Sequence, residues 1–159
     1  MQVKGYYSGA QIALHWAIAL LIIANYFVSD GMGDVFDARL EGRVIGGIVP
    51  GFHVYAGVAV LGLVLIRLGL RLSRGAPEAH RDGMSGKVAG LAHLALYGLM
   101  VAVPALGAIT WFGGVAATAD LHVLAMDAMM LLVLLHAAAA LYHHYVLKDG
   151  LLHRMTRAG

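Results

Sequence analysis

The chain predicts an all-α integral membrane fold, a four-helix bundle with both termini cytoplasmic, and three observations carry that reading. Of its 159 residues 60% are apolar and only 13% are charged, with a mean hydropathy of +0.78; a soluble domain carries roughly 25% charged residues. Four stretches lack Asp, Glu, Lys and Arg for long enough to cross a bilayer: 25 residues between Lys4 and Asp30, 23 between Arg43 and Arg67, 32 between Lys87 and Asp120, and 27 from Leu121 to Leu147 broken only by Asp127. Each exceeds the roughly 20 residues that a spanning helix needs. The basic residues gather on alternate flanks. Lys4, then Arg67, Arg71, Arg74, Arg81 and Lys87, then Lys148, Arg154 and Arg157 share one side, and only Arg39 and Arg43 fall on the other. Cytoplasmic flanks collect Lys and Arg, which sets the orientation.

Ser8 followed by Gln11 has the form of a capping box and starts a first span over about 9–29. That span lacks the small-residue cleavage site of a signal peptide and is expected to remain a helix. The charged, glycine-rich segment from Gly31 to Gly47 reads as an external connection with room for a short interfacial helix. Pro50 suits the first turn of a second span over about 50–72 and puts His53 near the external surface. A polar loop from Ser73 to Gly86 leads to a third span over about 87–111, where Pro104 and Gly107 predict a kink. After Gly113 and Gly114, Asp120 is a natural cap for a fourth span over about 121–147. Almost nothing is left outside to fold alone, so residues 1–159 read as one transmembrane domain.

The absence of cysteine excludes disulfides, thiolate-bound iron–sulfur clusters and covalent haem attachment through Cys-x-x-Cys-His, so a metal centre must rest on histidine, carboxylate or methionine. The net charge of +2 and pI near 9.0 reflect the bias toward positive cytoplasmic flanks and give no nucleic-acid footprint. The expected surroundings are membrane lipid.

Among the nine histidines, His15, His53, His122 and His136 lie inside the apolar stretches. His122 and His136 are fourteen residues apart on the fourth span, which returns a helix to within about 40° of its starting direction and covers roughly 21 Å. Depth counted from the external ends matches these residues in pairs. His15 is fifteen residues from Asp30 and His136 sixteen from Asp120; His53 is three from Pro50 and His122 two from Asp120. An imidazole in hydrocarbon is costly unless paired. Interhelical hydrogen bonding alone is one account of them, but two matched levels favour axial ligation of iron in two porphyrins, a trans pair per level in an apolar slot. A non-haem site would gather three or four ligands at one point.

Further residues attach to these levels. Gly57, one turn after His53, leaves room for a macrocycle or for close helix packing. Met129, midway between His122 and His136, reads as a core filler. His143 continues the same stripe to the cytoplasmic rim, where it could join Arg67 or Arg71 around haem propionates or a quinone carbonyl, or serve interfacial anchoring with Tyr142 and Tyr145. His93, near the cytoplasmic end of the third span, suits either an interhelical hydrogen bond or a place near propionate or quinone. His80 and His153 read as solvated, and Asp127 requires a partner, for which Arg43 is the plain candidate.

The segments LHAAAALYHHY (Leu135 to Tyr145) and LKDGLLHRM (Leu147 to Met155), with IALHW (Ile12 to Trp16), FHVYAG (Phe52 to Gly57) and the series His93, Tyr97, Pro104, Gly107, resemble the bacterial cytochrome b561 family over essentially the whole chain. The resemblance implies a di-haem b protein of the bacterial inner membrane with His15 and His136 on the cytoplasmic-side haem and His53 and His122 on the periplasmic-side haem. It also implies electron exchange with ubiquinone, and in the superoxide oxidases of the group the electron comes from superoxide at the periplasmic face. The chain departs from the family's frequent Trp-His-Glu around the external ligand, having Leu121, His122 and Val123. The expected function is electron transfer between a periplasmic one-electron donor and ubiquinone, with no catalytic residue assigned. Two alternatives stand beside it: a haem b anchor subunit serving a dehydrogenase partner, and a histidine-lined metal or proton transporter.

Overall fold

The computed structural model describes residues 7–43, 46–75, 84–150 and 152–157. Lys4, His80 and Arg81, and the side chain of Arg74, lie outside them. Every regular element among the described residues is helical: α1 (Gly9–Val28), α2 (Met32–Leu40), α3 (Ile48–Arg74), α4 (Met84–Gly113) and α5 (Ala117–Tyr142), then a π-helical turn (His143–Leu147) and a 3-10 turn (Leu152–Met155). Helices α1, α3 and α4, and α5 with its π turn, are each long and apolar enough to span a bilayer. The short α2 fills the connection between the first two spans.

The capping box forms as its residues require. Ser8 Oγ accepts the Gln11 backbone N–H at 3.3 Å while Gln11 Oε1 accepts the Ser8 N–H at 3.1 Å, so two orphan donors of the first turn are met. Gln11 is buried and does more, because its Nε2 donates to the Gly75 carbonyl at 3.2 Å and ties the start of α1 to the end of α3. On α2, Phe36 and Ala38 are buried, and the Arg39 guanidinium lies 4.7 Å over the Trp111 ring of α4. Pro50 sits in the first turn of α3, where its missing N–H costs nothing.

Two boundaries correct the expectation. Helix α5 begins at Ala117 with Ala116 as its uncapped N-terminus, and Asp120 lies within the first turn. An acid is favourable at the cap and throughout that turn, since the helix dipole acts on both, so its presence does not fix the first residue. The start is held instead by Thr118, whose hydroxyl meets Thr110 of α4 at 2.7 Å and bonds the Val115 carbonyl at 2.7 Å. At the other end the regular helix stops at Tyr142, and His143–Leu147 wind as a π turn that Lys148 closes in the left-handed region at φ 53°.

Close backbone packing joins α1 to α3, α3 to α4 and α4 to α5. Helix α5 therefore leans on α4 and meets α1 and α3 mainly through side chains. Ile18, Ile22, Val60, Val64, Val103 and Met129 form the buried cluster between the helices, with Val64 fully enclosed and Met129 in the gap-filling place expected for it. Phe27, Leu94, Leu124 and Leu134 are exposed. In water such a surface would be a liability; in a bilayer it is the lipid face. The bundle has a basic end, with Arg67, Arg71 and Lys87, and an acidic end, with Asp30, Asp34, Asp37, Glu41 and Asp120.

Ser8→Ala should cost about 1 kcal/mol through the lost cap. Gln11→Ala should cost more, since it removes the tether to Gly75 as well. Thermal unfolding of the detergent-solubilised protein checks this order, and equal midpoints for the two variants would refute it.

Candidate functional site

The imidazoles matched by depth lie side by side. At the acidic end, His53 of α3 and His122 of α5 have ring centres 6.1 Å apart and planes at 86°. Toward the basic end, His15 of α1 and His136 of α5 have centres 6.4 Å apart and planes at 70°. Two metal–nitrogen bonds of about 2 Å, with roughly 1 Å from each nitrogen to its ring centre, put imidazoles facing across one ion about 6 Å apart. Both pairs have that spacing. Among the described residues no three His, Cys, Asp or Glu side chains form a group able to hold a metal ion.

The acidic-end pair lines a cavity of about 560 Å³. Its walls include Gly57, Met100, Gly107 and Trp111, together with Met32 and Phe36 of α2. No atom comes within 4 Å of the place where a Cβ on Gly57 would stand, so open space rather than helix packing surrounds this glycine. Gly107 is the opposite case: a Cβ there would meet His122 Cε1 at 3.0 Å and Nδ1 at 3.1 Å. The ring of His122 occupies the groove that the missing side chain leaves. Its Nδ1 donates to the Val103 carbonyl at 2.8 Å, which fixes the ring and leaves Nε2 as the nitrogen able to bind a metal. Pro104 lies within α4, which continues as one helix through Gly113, so the whole groove belongs to a single element.

His53 supplies the other side of this level, and its Nδ1 is buried with no hydrogen-bond partner. Asn25 of α1 lies beside it, donating through Nδ2 to the His53 carbonyl at 3.4 Å, while Asn25 Oδ1 is likewise buried and unpartnered. Buried polar atoms left unmatched are expensive and call for an explanation. An iron-bound porphyrin fits this level, because it would take up an imidazole nitrogen and fill the apolar cavity beside Gly57. Sequence reasoning missed Asn25, although a carboxamide in an otherwise apolar span was the available signal.

Toward the basic end, Arg67 Nε donates to the Tyr97 hydroxyl at 3.1 Å and its Nη1 donates to the Gln11 carbonyl. Arg71 lies 5.6 Å over the ring of the same Tyr97. Among the described residues Arg67 forms no ion pair with a carboxylate. His93 of α4 adds a third imidazole to this level, with its ring centre 5.2 Å from that of His136. His143 does not join the arginines: its Nδ1 donates to the Asp149 carboxylate, across the π turn that ends the fourth span. Arg43 likewise pairs with Glu41 at 2.6 Å and not with Asp127, which lines the acidic-end cavity. Only Gly42 separates Arg43 from Glu41, and so local a partner outcompetes one on another helix.

No solved structure matches the chain. A family model described as prokaryotic cytochrome b561 matches residues 6–158. A protein of Cereibacter sphaeroides named cytochrome b562 is 47% identical over 151 residues, which cover 95% of each chain. One of Yersinia pestis, named probable superoxide oxidase CybB, is 31% identical over 173 residues, which cover 94% of each. With nearly every residue inside that match and the bundle of apolar helices as its frame, the chain belongs to the prokaryotic cytochrome b561 family and is a multi-pass membrane cytochrome of bacterial type.

Proposed function

We propose that this cytochrome holds two b-type haems and carries electrons across the inner membrane between a periplasmic one-electron donor and ubiquinone. The observation that carries the reading is the pair of imidazole pairs: two on α5, fourteen residues apart, each about the width of one metal ion from a partner on α1 or α3. In this reading the basic end is cytoplasmic. His15 and His136 hold the cytoplasmic-side haem, and His53 and His122 the periplasmic-side haem. The iron of a bound haem supplies one-electron exchange.

The chain's own residues do the rest. Val103 and Gly107 orient His122; Gly57 leaves the macrocycle room; the apolar core around Val64 and Met129 excludes water between the two levels. Arg67, with two of its N–H groups committed to Tyr97 and Gln11, presents a charge suited to a haem propionate or a reduced quinone oxygen, and Arg71 lies beside the same tyrosine. Both histidines of each pair are spent on ligation, so oxygen species exchange electrons at the edge of the site and do not bind the metal. The balance is two superoxide ions oxidised to two dioxygen molecules for each ubiquinone reduced, with two protons taken up to form ubiquinol.

The superoxide role is supported by the relative named probable superoxide oxidase. One observation favours a second reading, in which a dehydrogenase or another protein delivers the electron. The acidic end carries Asp30, Asp34, Asp37, Glu41 and Asp120, while Arg43 is spent on Glu41 and Arg39 on Trp111, so an anion is poorly steered there. Membership of a cytochrome family sets aside the histidine-lined transporter.

The deciding experiment is a reduced-minus-oxidised visible spectrum of the detergent-purified protein, with haem per chain from the pyridine haemochrome and superoxide then offered as reductant. Two haems per chain, reduced by superoxide and reoxidised by ubiquinone, are expected; two haems inert to superoxide transfer the weight to a protein donor, and none overturns the proposal. His53→Ala or His122→Ala should lower the count from two haems to one, whereas loss of both or neither would break the assignment of levels. Gly107→Val should act as His122→Ala does, since its side chain would displace the ring; an unchanged haem count in that variant would remove Gly107 from the site.

A further inference from the structure

We propose that His93 is the positioning residue of His136: its imidazole accepts a hydrogen bond from the His136 ring nitrogen that faces away from the haem, and so sets the orientation and basicity of that ligand. The inference rests on the reading that His136 holds the cytoplasmic-side haem.

Two ring spacings at one level carry the argument. His136 lies 6.4 Å from His15 and 5.2 Å from His93. A direct N–H···N bond of about 3 Å puts two imidazole centres about 5 Å apart, against about 6 Å across a metal ion. His15 is thus at ion-bridging spacing from His136, while the His93 ring stands closer and edge-on, with ring planes at 77°, near enough for one imidazole to donate to the other when their nitrogens face. The proton on His93 is assigned by its other contact. Its Nδ1 lies 2.7 Å from the Ala89 carbonyl oxygen, one turn back on α4. A carbonyl only accepts, so Nδ1 carries the hydrogen and Nε2 of the neutral ring is an acceptor. The bond to Ala89 stays within α4 and pins the ring to its own helix.

The other α5 ligand is oriented differently. His122 donates to the Val103 carbonyl, also on α4. Helix α4 therefore orients both α5 histidines, one through a backbone carbonyl and one through a side chain. A nitrogen acceptor on the ligand's N–H raises the basicity of the metal-bound nitrogen and favours ferric iron. Removing it favours the ferrous state and moves the potential upward.

The test is an optical redox titration of each haem, with the low-spin ferric EPR spectrum, in the purified haem-loaded wild type, His93→Leu and His93→Gln. The titration component that survives in His53→Ala identifies the cytoplasmic-side haem. In His93→Leu the expected result is two haems per chain, with that component shifted upward by about tenfold in its reduced-to-oxidised ratio, about 59 mV for one electron, and a changed EPR signal. The other component stays in place. His93→Gln, whose amide oxygen still accepts, should return most of the shift. Unchanged potentials and EPR signals in His93→Leu, equal shifts of both haems, or a glutamine variant that shifts as far as the leucine one would each overturn the proposal. Should His93→Leu lose the cytoplasmic-side haem, retention of that haem by His93→Gln at the wild-type potential supports it and loss in both refutes it. Failure of the underlying reading is separately visible as a wild-type haem count other than two.

Discussion

An imidazole inside hydrocarbon has to be satisfied by another group, and in this bundle that requirement governs how the helices meet. Four histidines within the apolar spans fall into two pairs, and each of the four ring centres lies about 6 Å from that of a partner on another helix. Helix α5 carries one member of each pair and packs its backbone closely on α4, meeting α1 and α3 through side chains, Met129 among them. Were α5 to close on α1 and α3 as it does on α4, no slot between the paired imidazoles would remain. The apolar cluster of Ile18, Ile22, Val60, Val64, Val103 and Met129 sets that separation from the middle of the bundle.

Helix α4 carries no member of either imidazole pair, yet it lies against both levels. Gly107 gives up a side chain so that His122 can seat against the backbone, and Val103 supplies the carbonyl that fixes the ring. One helical end further on, His93 meets His136. Proline and glycine in such a helix weaken it in isolation, and the cost is offset where a neighbouring side chain uses the groove or carbonyl they provide. Three spans thus carry the paired imidazoles, and the remaining one fixes His122 and sets His93 against His136.

The two ends of the bundle are chemically unlike. At the basic end, Gln11 links α1 to α3, and Arg67 binds both the Gln11 carbonyl and the Tyr97 hydroxyl, so a half-buried guanidinium is held in place by neutral acceptors and keeps its charge for an anion. At the acidic end, α2 helps to wall the cavity and is fastened by Phe36, Ala38 and the Arg39–Trp111 stack. Basic residues there are engaged within the protein, and the carboxylates dominate the face presented outward.

The four spans, their order and the two histidine levels were legible in the sequence, because hydropathy over some twenty residues and a fixed rise of about 1.5 Å per residue are local properties that survive any arrangement of neighbours. The Ser8–Gln11 cap was legible for the same reason. What the sequence left open depends on which helix faces meet. Asp120 marks the first turn of α5 without capping it, Arg43 turns to Glu41 rather than Asp127, and His143 turns to Asp149 once the fourth span ends in a π turn. Gly57 and Gly107 are alike in sequence as glycines in spanning helices, yet one borders open space and the other the edge of an imidazole. Asn25 beside His53 and His93 beside His136 are likewise matters of rotation about the helix axis. Depth along a helix follows from counting residues; azimuth follows from packing, and only the assembled bundle decides it.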